Sequence, residues 1–145
     1  MPAKPPSNSV LYTLEQAIKG YRKLCQQNID KVMDNLTVDQ GLTLLVMDKH
    51  PDLSQQQVAD LTFKDKASIT RIIELLVQKG LVSRAIHPTD RRKFDLHLTE
   101  AGRSTLAQLA DTIALNQRTA LQGLSQEELA QFEATLQKII ANCTA

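Results

Sequence analysis

A mainly α-helical fold with one small β-hairpin is predicted by three features of the sequence. Apolar residues recur at helical spacing in several long segments, which is the pattern of helices with one buried face. Three Ser/Thr-x-x-Gln/Glu sequences stand where such segments begin, as capping boxes do. One pair of alternating segments flanks a polar loop, which is typical of two antiparallel strands. The sequence therefore predicts a helical chain that is interrupted once by a hairpin.

The chain has 145 residues and begins with a Pro- and Ser-rich stretch, residues 1–9, which predicts a flexible arm. A long helix is predicted over residues 10–35. Its apolar residues follow helical spacing: Leu14, Ile18, Tyr21, Leu24, Cys25, Ile29 and Val32. Because this stripe is longer than a small domain needs, we expect part of it to pack against a second chain. Residues 10–35 are therefore interpreted as an N-terminal dimerisation helix.

Two capping boxes predict the next two helices. Thr37 and Gln40 open a helix that runs to about Lys49 and is broken by the Pro and Asp that follow His50. Ser54–Gln57 then opens a short helix. A tight connection over residues 62–65 joins that short helix to the next one.

Asp65 is the predicted N-cap of a helix over residues 66–79. Gly80 ends this helix, because the residue after a helix commonly takes a positive φ that glycine accepts. The apolar residues at i, i+3, i+4 and i+7 are expected to face inward: Ile69, Ile72, Ile73 and Leu76. The polar residues are then left toward solvent: Lys66, Ser68, Thr70, Arg71, Glu74 and Gln78.

Alternating residues predict strands over 81–86 and 94–98, joined by the polar loop of residues 87–93. After the hairpin, Thr99 is predicted to cap a long helix and Ser125–Glu128 to open a last one. We therefore expect residues 36–98 to form one domain and residues 99–145 to supply C-terminal dimerisation helices.

Charge is distributed unevenly along the chain. The net charge is only +1, but residues 62–93 carry eight Lys/Arg against three Asp/Glu, a net of +5. Both flanking regions are slightly acidic, with a net of −1 over residues 1–61 and −2 over residues 99–145. A basic middle between acidic ends favours a nucleic-acid partner, although an ordinary solvated charged face explains the same composition.

The order helix, short helix, turn, helix and hairpin predicts a winged helix-turn-helix, a fold suited to duplex DNA. Polar side chains of the second helix of such a motif reach base edges and phosphates in the major groove. The candidate contacts on that helix are Lys66, Ser68, Thr70 and Arg71. Taken alone, this helix is also consistent with an ordinary amphipathic helix that has a polar outer face.

The tip of the predicted hairpin favours the DNA hypothesis. Arg91, Arg92 and Lys93 place three consecutive cations on an exposed turn, which an anionic partner would stabilise. Such a tip can enter the narrow minor groove, where the negative potential is deepest. Asp90 is expected to pair with a neighbouring Arg and to hold the tip in shape.

At this point three stretches resemble the MarR family of bacterial transcriptional regulators. They are residues 53–60 (LSQQQVAD), 67–84 (ASITRIIELLVQKGLVSR) and 90–102 (DRRKFDLHLTEAG). The last stretch is the most specific, since wing, second strand and entry to the next helix match in order. The resemblance covers about half of the chain by motif and nearly all of it by architecture.

The resemblance implies an interlocked homodimer that reads a pseudo-palindromic operator in double-stranded DNA. It implies that Ser68, Thr70 and Arg71 are recognition-helix contacts. It also implies that Arg92 is the wing-tip arginine and that Asp90 orients it. Two-fold symmetry of the protein matches two half-sites one helical turn apart, which agrees with the surplus apolar stripes at both ends of the chain.

Relatives in this family often bind small phenolic or lipophilic effectors between the dimerisation helices and the winged domain. Tyr21, Leu24 and Leu45 are the candidates for lining such a cleft, although a stripe at helical spacing is core by default. Cys25 is a candidate redox sensor, but its place on the same stripe favours a core or interface cysteine.

No metal site, cofactor or enzyme is expected. The three histidines and two cysteines lack the usual zinc spacings, and we find no catalytic triad or phosphate-binding glycine loop. With no membrane-length apolar run and no signal peptide, a cytoplasmic protein without a membrane partner is expected.

The residues predict a DNA-binding regulator, and the resemblance implies that it is a repressor relieved by a small ligand. The alternatives are a winged-helix module for protein–protein contact and a redox-gated regulator that uses Cys25.

Overall fold

The computed structural model describes residues 3–4, 9–90 and 94–144, and it confirms the predicted order of helices and hairpin. The elements are α1 (Val10–Val32), α2 (Val38–Lys49), α3 (Gln55–Leu61), α4 (Lys66–Gln78), β1 (Val82–Ile86), β2 (Phe94–Leu98), α5 (Glu100–Ala120) and α6 (Gln126–Thr144). Among these residues, no helix combines the length and the apolar character that crossing a membrane requires.

All three predicted capping boxes are present. The Thr37 hydroxyl accepts from the Gln40 amide at 3.0 Å, and the Gln40 side chain accepts from the Thr37 amide at 3.2 Å. The same reciprocal pair forms between Ser54 and Gln57 at 3.2 and 2.9 Å. It forms again between Ser125 and Glu128, at 3.1 and 3.2 Å. These bonds satisfy amides that would otherwise lack partners at the start of α2, α3 and α6.

The hydrophobic core lies between α2, α3, α4 and the hairpin, and it is closed from outside by Ile29 of α1 and Leu109 of α5. The residues of α4 that were predicted to face inward do so: Ile69, Ile73 and Leu76 are fully buried and Ile72 is half-buried. Burial of these side chains fixes which face of α4 looks outward.

The hairpin is antiparallel, with a register that runs from Val82 opposite Leu98 to Ile86 opposite Phe94. Val82 and Leu96 are buried against the core, so the base of the hairpin is anchored to the helices. At this base the Thr99 hydroxyl, which caps α5, also donates to the Gly80 carbonyl at 2.6 Å.

α1 packs along α5 through a partly polar interface. Asn116 of α5 is buried and accepts from the side-chain amide of Asn28 at 2.6 Å, and Thr112 one turn earlier is buried as well.

The last helix, α6, is not covered by the rest of the single chain. None of its residues is buried, and Phe132 and Ile140 are 53% and 51% exposed although they lie on its apolar face. Apolar residues of α1 are exposed to a similar degree, Leu11 at 57% and Ile18 at 50%.

Candidate nucleic-acid interface

The first turn of α4 is fixed by its N-cap. The Asp65 carboxylate accepts from the Ser68 amide at 2.7 Å, as predicted, and this bond lowers the pKa of Asp65 below its usual range. Ile69 and Ile73 are buried in the core. Their burial and the N-cap together determine which side chains of α4 face outward.

None of the predicted contact residues of α4 belongs to its buried face. Lys66 and Arg71 are exposed, and Ser68 and Thr70 are half-buried. The Thr70 hydroxyl donates to the Lys66 carbonyl at 2.7 Å and accepts from the Gln55 side chain at 2.9 Å. The two cations are therefore the most accessible polar groups of the four, while Thr70 links α4 to the N-terminus of α3.

A three-membered ion cluster ties the start of α4 to α1 and α2. Asp39, in the first turn of α2, pairs with Arg22 of α1 and with Lys64, whose Nζ lies 2.9 Å from Oδ2. Burial opposes ionisation of Asp39, but the hydrogen bonds from Lys64 and Arg22 prevail and hold its pKa below the ordinary value. Lys64 directly precedes the N-cap Asp65, so this cluster positions the entry to α4.

The other end of α4 is tied to the same corner of the chain. The Lys79 ammonium donates to the Asn35 carbonyl and, at 2.8 Å, to the buried side chain of Gln40. Both ends of α4 are thus bound to the first turn of α2, and Lys79 also reaches the connection that precedes it. Sequence reasoning missed Asp39, Lys79 and Gln55, because these partners are far apart in sequence and follow no periodic signal.

The wing consists of β1, β2 and the loop between them, and the structure describes this loop up to Asp90. Nδ1 of His87 lies 3.2 Å from the amides of both Thr89 and Asp90, which donate to it and curl the loop. Asp90 is half-buried. Arg91, Arg92 and Lys93, the predicted wing contacts, lie outside the described residues, as does the predicted pairing of Asp90 with one of these arginines.

A cleft of about 610 Å³ opens beside α4, between the N-terminus of α3 and the wing. Its wall includes Lys66, His87 and Asp95. Gln55 also lines the cleft, and its Oε1 atom is buried without a hydrogen-bond partner among the described residues. A smaller cleft of about 110 Å³ is lined by Met47 of α2 and by Leu96 and Leu98 of β2.

The candidate effector residues Tyr21, Leu24 and Leu45 are each half-buried, and none of them lines either of these two clefts. Burial and the neighbouring Cys25 raise the pKa of the Tyr21 hydroxyl. Cys25 itself is buried, which agrees with its interpretation as a packing residue.

A family model described as MarR family matches residues 34–93, which include α2, α3, α4 and β1. A protein of Thauera aromatica named as a transcriptional regulatory protein for the hcr operon is 30% identical over 110 residues. That match covers 72% of this chain and 66% of the relative's length, so about a third of the relative has no counterpart in the match.

Solved structures match over most of the chain. A protein of Pseudomonas aeruginosa named as a transcriptional regulator is 27% identical and has a TM-score of 0.79, covering 91% of this chain and 97% of its own. BpsR of Bordetella bronchiseptica is 25% identical with a TM-score of 0.80, covering 90% and 97%. The latter structure concerns regulation of BpsR DNA binding by 6-hydroxynicotinic acid.

Proposed function

The chain belongs to the MarR family of transcriptional regulators, and on that premise we propose that it is a homodimeric repressor that binds a pseudo-palindromic operator and is released by a small ligand. The observation that carries this proposal is the outward face of α4. Lys66 and Arg71 stand exposed on a helix whose opposite face is fully buried. A helix held this way presents its cations to the major groove without reorganisation.

The proposed roles of the α4 residues follow from their positions. Lys66, at the first turn, is suited to a phosphate, because an ammonium is a point charge without planar geometry. Arg71 presents a guanidinium that can fork onto a guanine edge or a phosphate. Ser68 and Thr70 lie between them in the sequence as shorter polar contacts. The Thr70 hydroxyl, which donates to the Lys66 carbonyl and accepts from Gln55, would exchange one of these bonds to contact DNA.

The wing supplies the second part of the proposed interface. Arg91, Arg92 and Lys93 continue the basic segment beyond β1, and we assign Arg92 to the minor groove. Asp90 is assigned to orient that arginine. Residues 36–98 are thus the proposed DNA-binding domain.

Dimerisation is proposed through the helices at both ends of the chain, residues 10–35 and 99–145. The bare α6, with Phe132 and Ile140 half in solvent, needs a second chain to cover it. The exposed apolar residues of α1 support the same assignment, since Leu11 and Ile18 lie outside the core to which Ile29 of the same helix contributes.

A small phenolic or lipophilic effector is proposed as the releasing ligand. Regulation of BpsR by a hydroxylated pyridine acid supports a small aromatic effector for a chain with the same fold. Tyr21, Leu24 and Leu45 remain the proposed lining, because they lie at half-buried positions on α1 and α2, the two helices that join the dimerisation region to the winged domain.

The test is duplex binding measured by fluorescence anisotropy over a salt series, first with random-sequence DNA and then with a duplex selected from a random library. Arg71→Ala and Arg92→Ala are each expected to weaken binding to the selected duplex by about 1–3 kcal/mol. Wild-type affinity is expected to fall steeply with salt, since released counterions drive phosphate binding. Lys138→Ala removes one positive charge from α6 and is expected to bind as the wild type does.

Absence of salt-sensitive binding at low ionic strength would refute DNA binding and favour a winged-helix module for protein–protein contact. Equal losses in Arg71→Ala and Lys138→Ala would show that net charge alone matters and that α4 does not read the DNA. Wild-type affinity of Arg92→Ala, with folding and dimerisation intact, would refute the wing assignment.

A further inference from the structure

Phe63, in the turn between α3 and α4, has two unusual properties. Its side chain is 89% exposed, the largest exposure among the large apolar residues that the structure describes. Its backbone takes the left-handed conformation, with φ at 60°. A bulky side chain is disfavoured in that conformation, because its Cβ approaches the following carbonyl oxygen.

The other left-handed positions in the described part of the chain hold residues that suit them. Gly80 and Gly123 have no Cβ, and Asn35 belongs to the residue type that tolerates this conformation best after glycine. Phe63 is the exception. Glycine or asparagine at this position would relieve backbone strain and would also remove an apolar ring from water.

The turn around Phe63 is firmly held, so its conformation is imposed by the fold. The buried Thr62 hydroxyl donates to the Val58 carbonyl at 2.8 Å, and the Lys64 amide donates to the Ala59 carbonyl at 2.9 Å. The Lys64 side chain is fixed by Asp39. The Phe63 ring therefore contributes little to the stability of the folded chain. Its remaining role is a contact with another molecule.

We propose that the Phe63 ring contacts a thymine methyl group in the major groove and so contributes to operator specificity. This inference rests on the proposed DNA-binding function. Phe63 precedes the N-cap Asp65 by two residues and Lys66 by three, and the N-terminal end of a recognition helix is the part that approaches base edges. An apolar side chain reads DNA by contact with the thymine methyl, which is the one apolar group on a major-groove edge.

The experiment combines Phe63→Gly with thymine-to-uracil replacement, which deletes only the methyl group. The probe is a duplex selected from a random library by the wild-type protein, with each thymine replaced in turn. Phe63→Gly is expected to bind the parent duplex about 5- to 10-fold more weakly, since part of a ring's apolar area loses its contact. At one position, uracil is expected to weaken wild-type binding about 4-fold, the value of one buried methyl group, and to leave Phe63→Gly unaffected.

Two further measurements separate the ring from the backbone. Phe63→Tyr keeps an aromatic ring and is expected to retain wild-type discrimination between thymine and uracil. Phe63→Gly is expected to raise Tm by about 2–4 °C, since it relieves a left-handed residue. Loss of affinity in a protein of raised stability cannot come from misfolding.

The proposal is overturned if Phe63→Gly binds the parent duplex as tightly as the wild type, or if every uracil weakens both proteins equally. A shift in the monomer–dimer equilibrium of Phe63→Gly without loss of thymine discrimination would assign the ring to a protein interface and overturn it as well. If the wild type binds no DNA, the proposed function fails together with this inference. If Arg71→Ala loses affinity and Phe63→Gly does not, only the inference fails.

Discussion

Asp39 is the residue through which the start of α4 is tied to the rest of the fold. Its carboxylate receives Arg22 from α1 and Lys64 from the turn before α4. The side chain of Asp39 is 27% exposed, so water screens these pairs only in part. One residue of α2 therefore contributes to stability and to the placement of α4.

Asp39→Asn is expected to destabilise the protein by about 1 kcal/mol at neutral pH, since charge-assisted hydrogen bonds are lost at a partly screened site. The pKa of Asp39 is lowered in the folded state, so its contribution is present above the unfolded pKa of about 4 and is lost as pH falls through the folded pKa. Urea unfolding of wild type and Asp39→Asn should therefore give curves that converge as pH drops below about 4.

Asp48→Asn, an exposed acid near the end of α2, is the matched control and is expected to track the wild type across the series. Asp65 also has a lowered pKa, but it is present in all three proteins and cancels in their differences. A difference between wild type and Asp39→Asn that persists undiminished in acid would show that the ion cluster is not its source.

At the residue scale, the sequence predicts which residues form the polar face of α4. It does not predict the side-chain contacts that hold α4 against neighbouring helices. Helical spacing alone separated buried Ile69 and Ile73 from exposed Lys66 and Arg71, because one helix face must be buried. The bond between Gln55 and Thr70, like the Asp39 cluster, joins separate helices whose relative placement only tertiary packing determines.

At the scale of elements, the start of α5 packs against the connection between α4 and β1 more closely than a Cβ atom permits. A Cβ atom added at Gly102 would lie 2.2 Å from the backbone carbonyl oxygen of Leu81, which already accepts the Thr99 amide at 3.1 Å. This contact explains why glycine stands in the LTEAG sequence that enters α5.

Gly102→Ala is expected to destabilise the protein by about 1–3 kcal/mol, because a backbone carbonyl must shift to admit the methyl group. Gly41→Ala is the matched control in α2. Its added methyl would meet side chains of Leu36 and Leu109 at an ordinary 4.0 Å, so alanine is expected to stabilise by about 0.5–1 kcal/mol. Thermal unfolding of the two variants should move Tm in opposite directions, and a parallel shift would contradict the packing at Leu81.

Element boundaries were predictable here because they are marked by local chemistry. The boxes opened by Thr37, Ser54 and Ser125 act within four residues, and so does the Asp65 cap. The buried pairing of α1 with α5 through Asn116 was not predictable, since a polar residue at such a position reads as solvent-facing until its partner is known.

For the whole molecule, charge and apolar surface divide the chain into two kinds of surface. The basic excess of residues 62–93 belongs to α4 and the wing, whereas the exposed apolar residues of α1 and α6, such as Leu11 and Phe132, lie outside that segment. Near-neutral net charge conceals this division. A two-fold dimer formed by the apolar faces would present two basic winged domains to the same duplex.

Breaking the proposed dimer should therefore weaken DNA binding without touching the winged domain. Replacing Phe132 and Ile140 of α6 by Asp in one protein is expected to give a monomer in sedimentation equilibrium, since two charges would be buried in an apolar interface. Affinity for a selected two-site duplex should fall by about 100-fold or more, because each half-site is then bound without the gain from linkage. Ala134→Asp adds charge to the opposite face of α6 and is expected to remain dimeric. A monomeric variant that kept full affinity would show that one winged domain is sufficient for recognition.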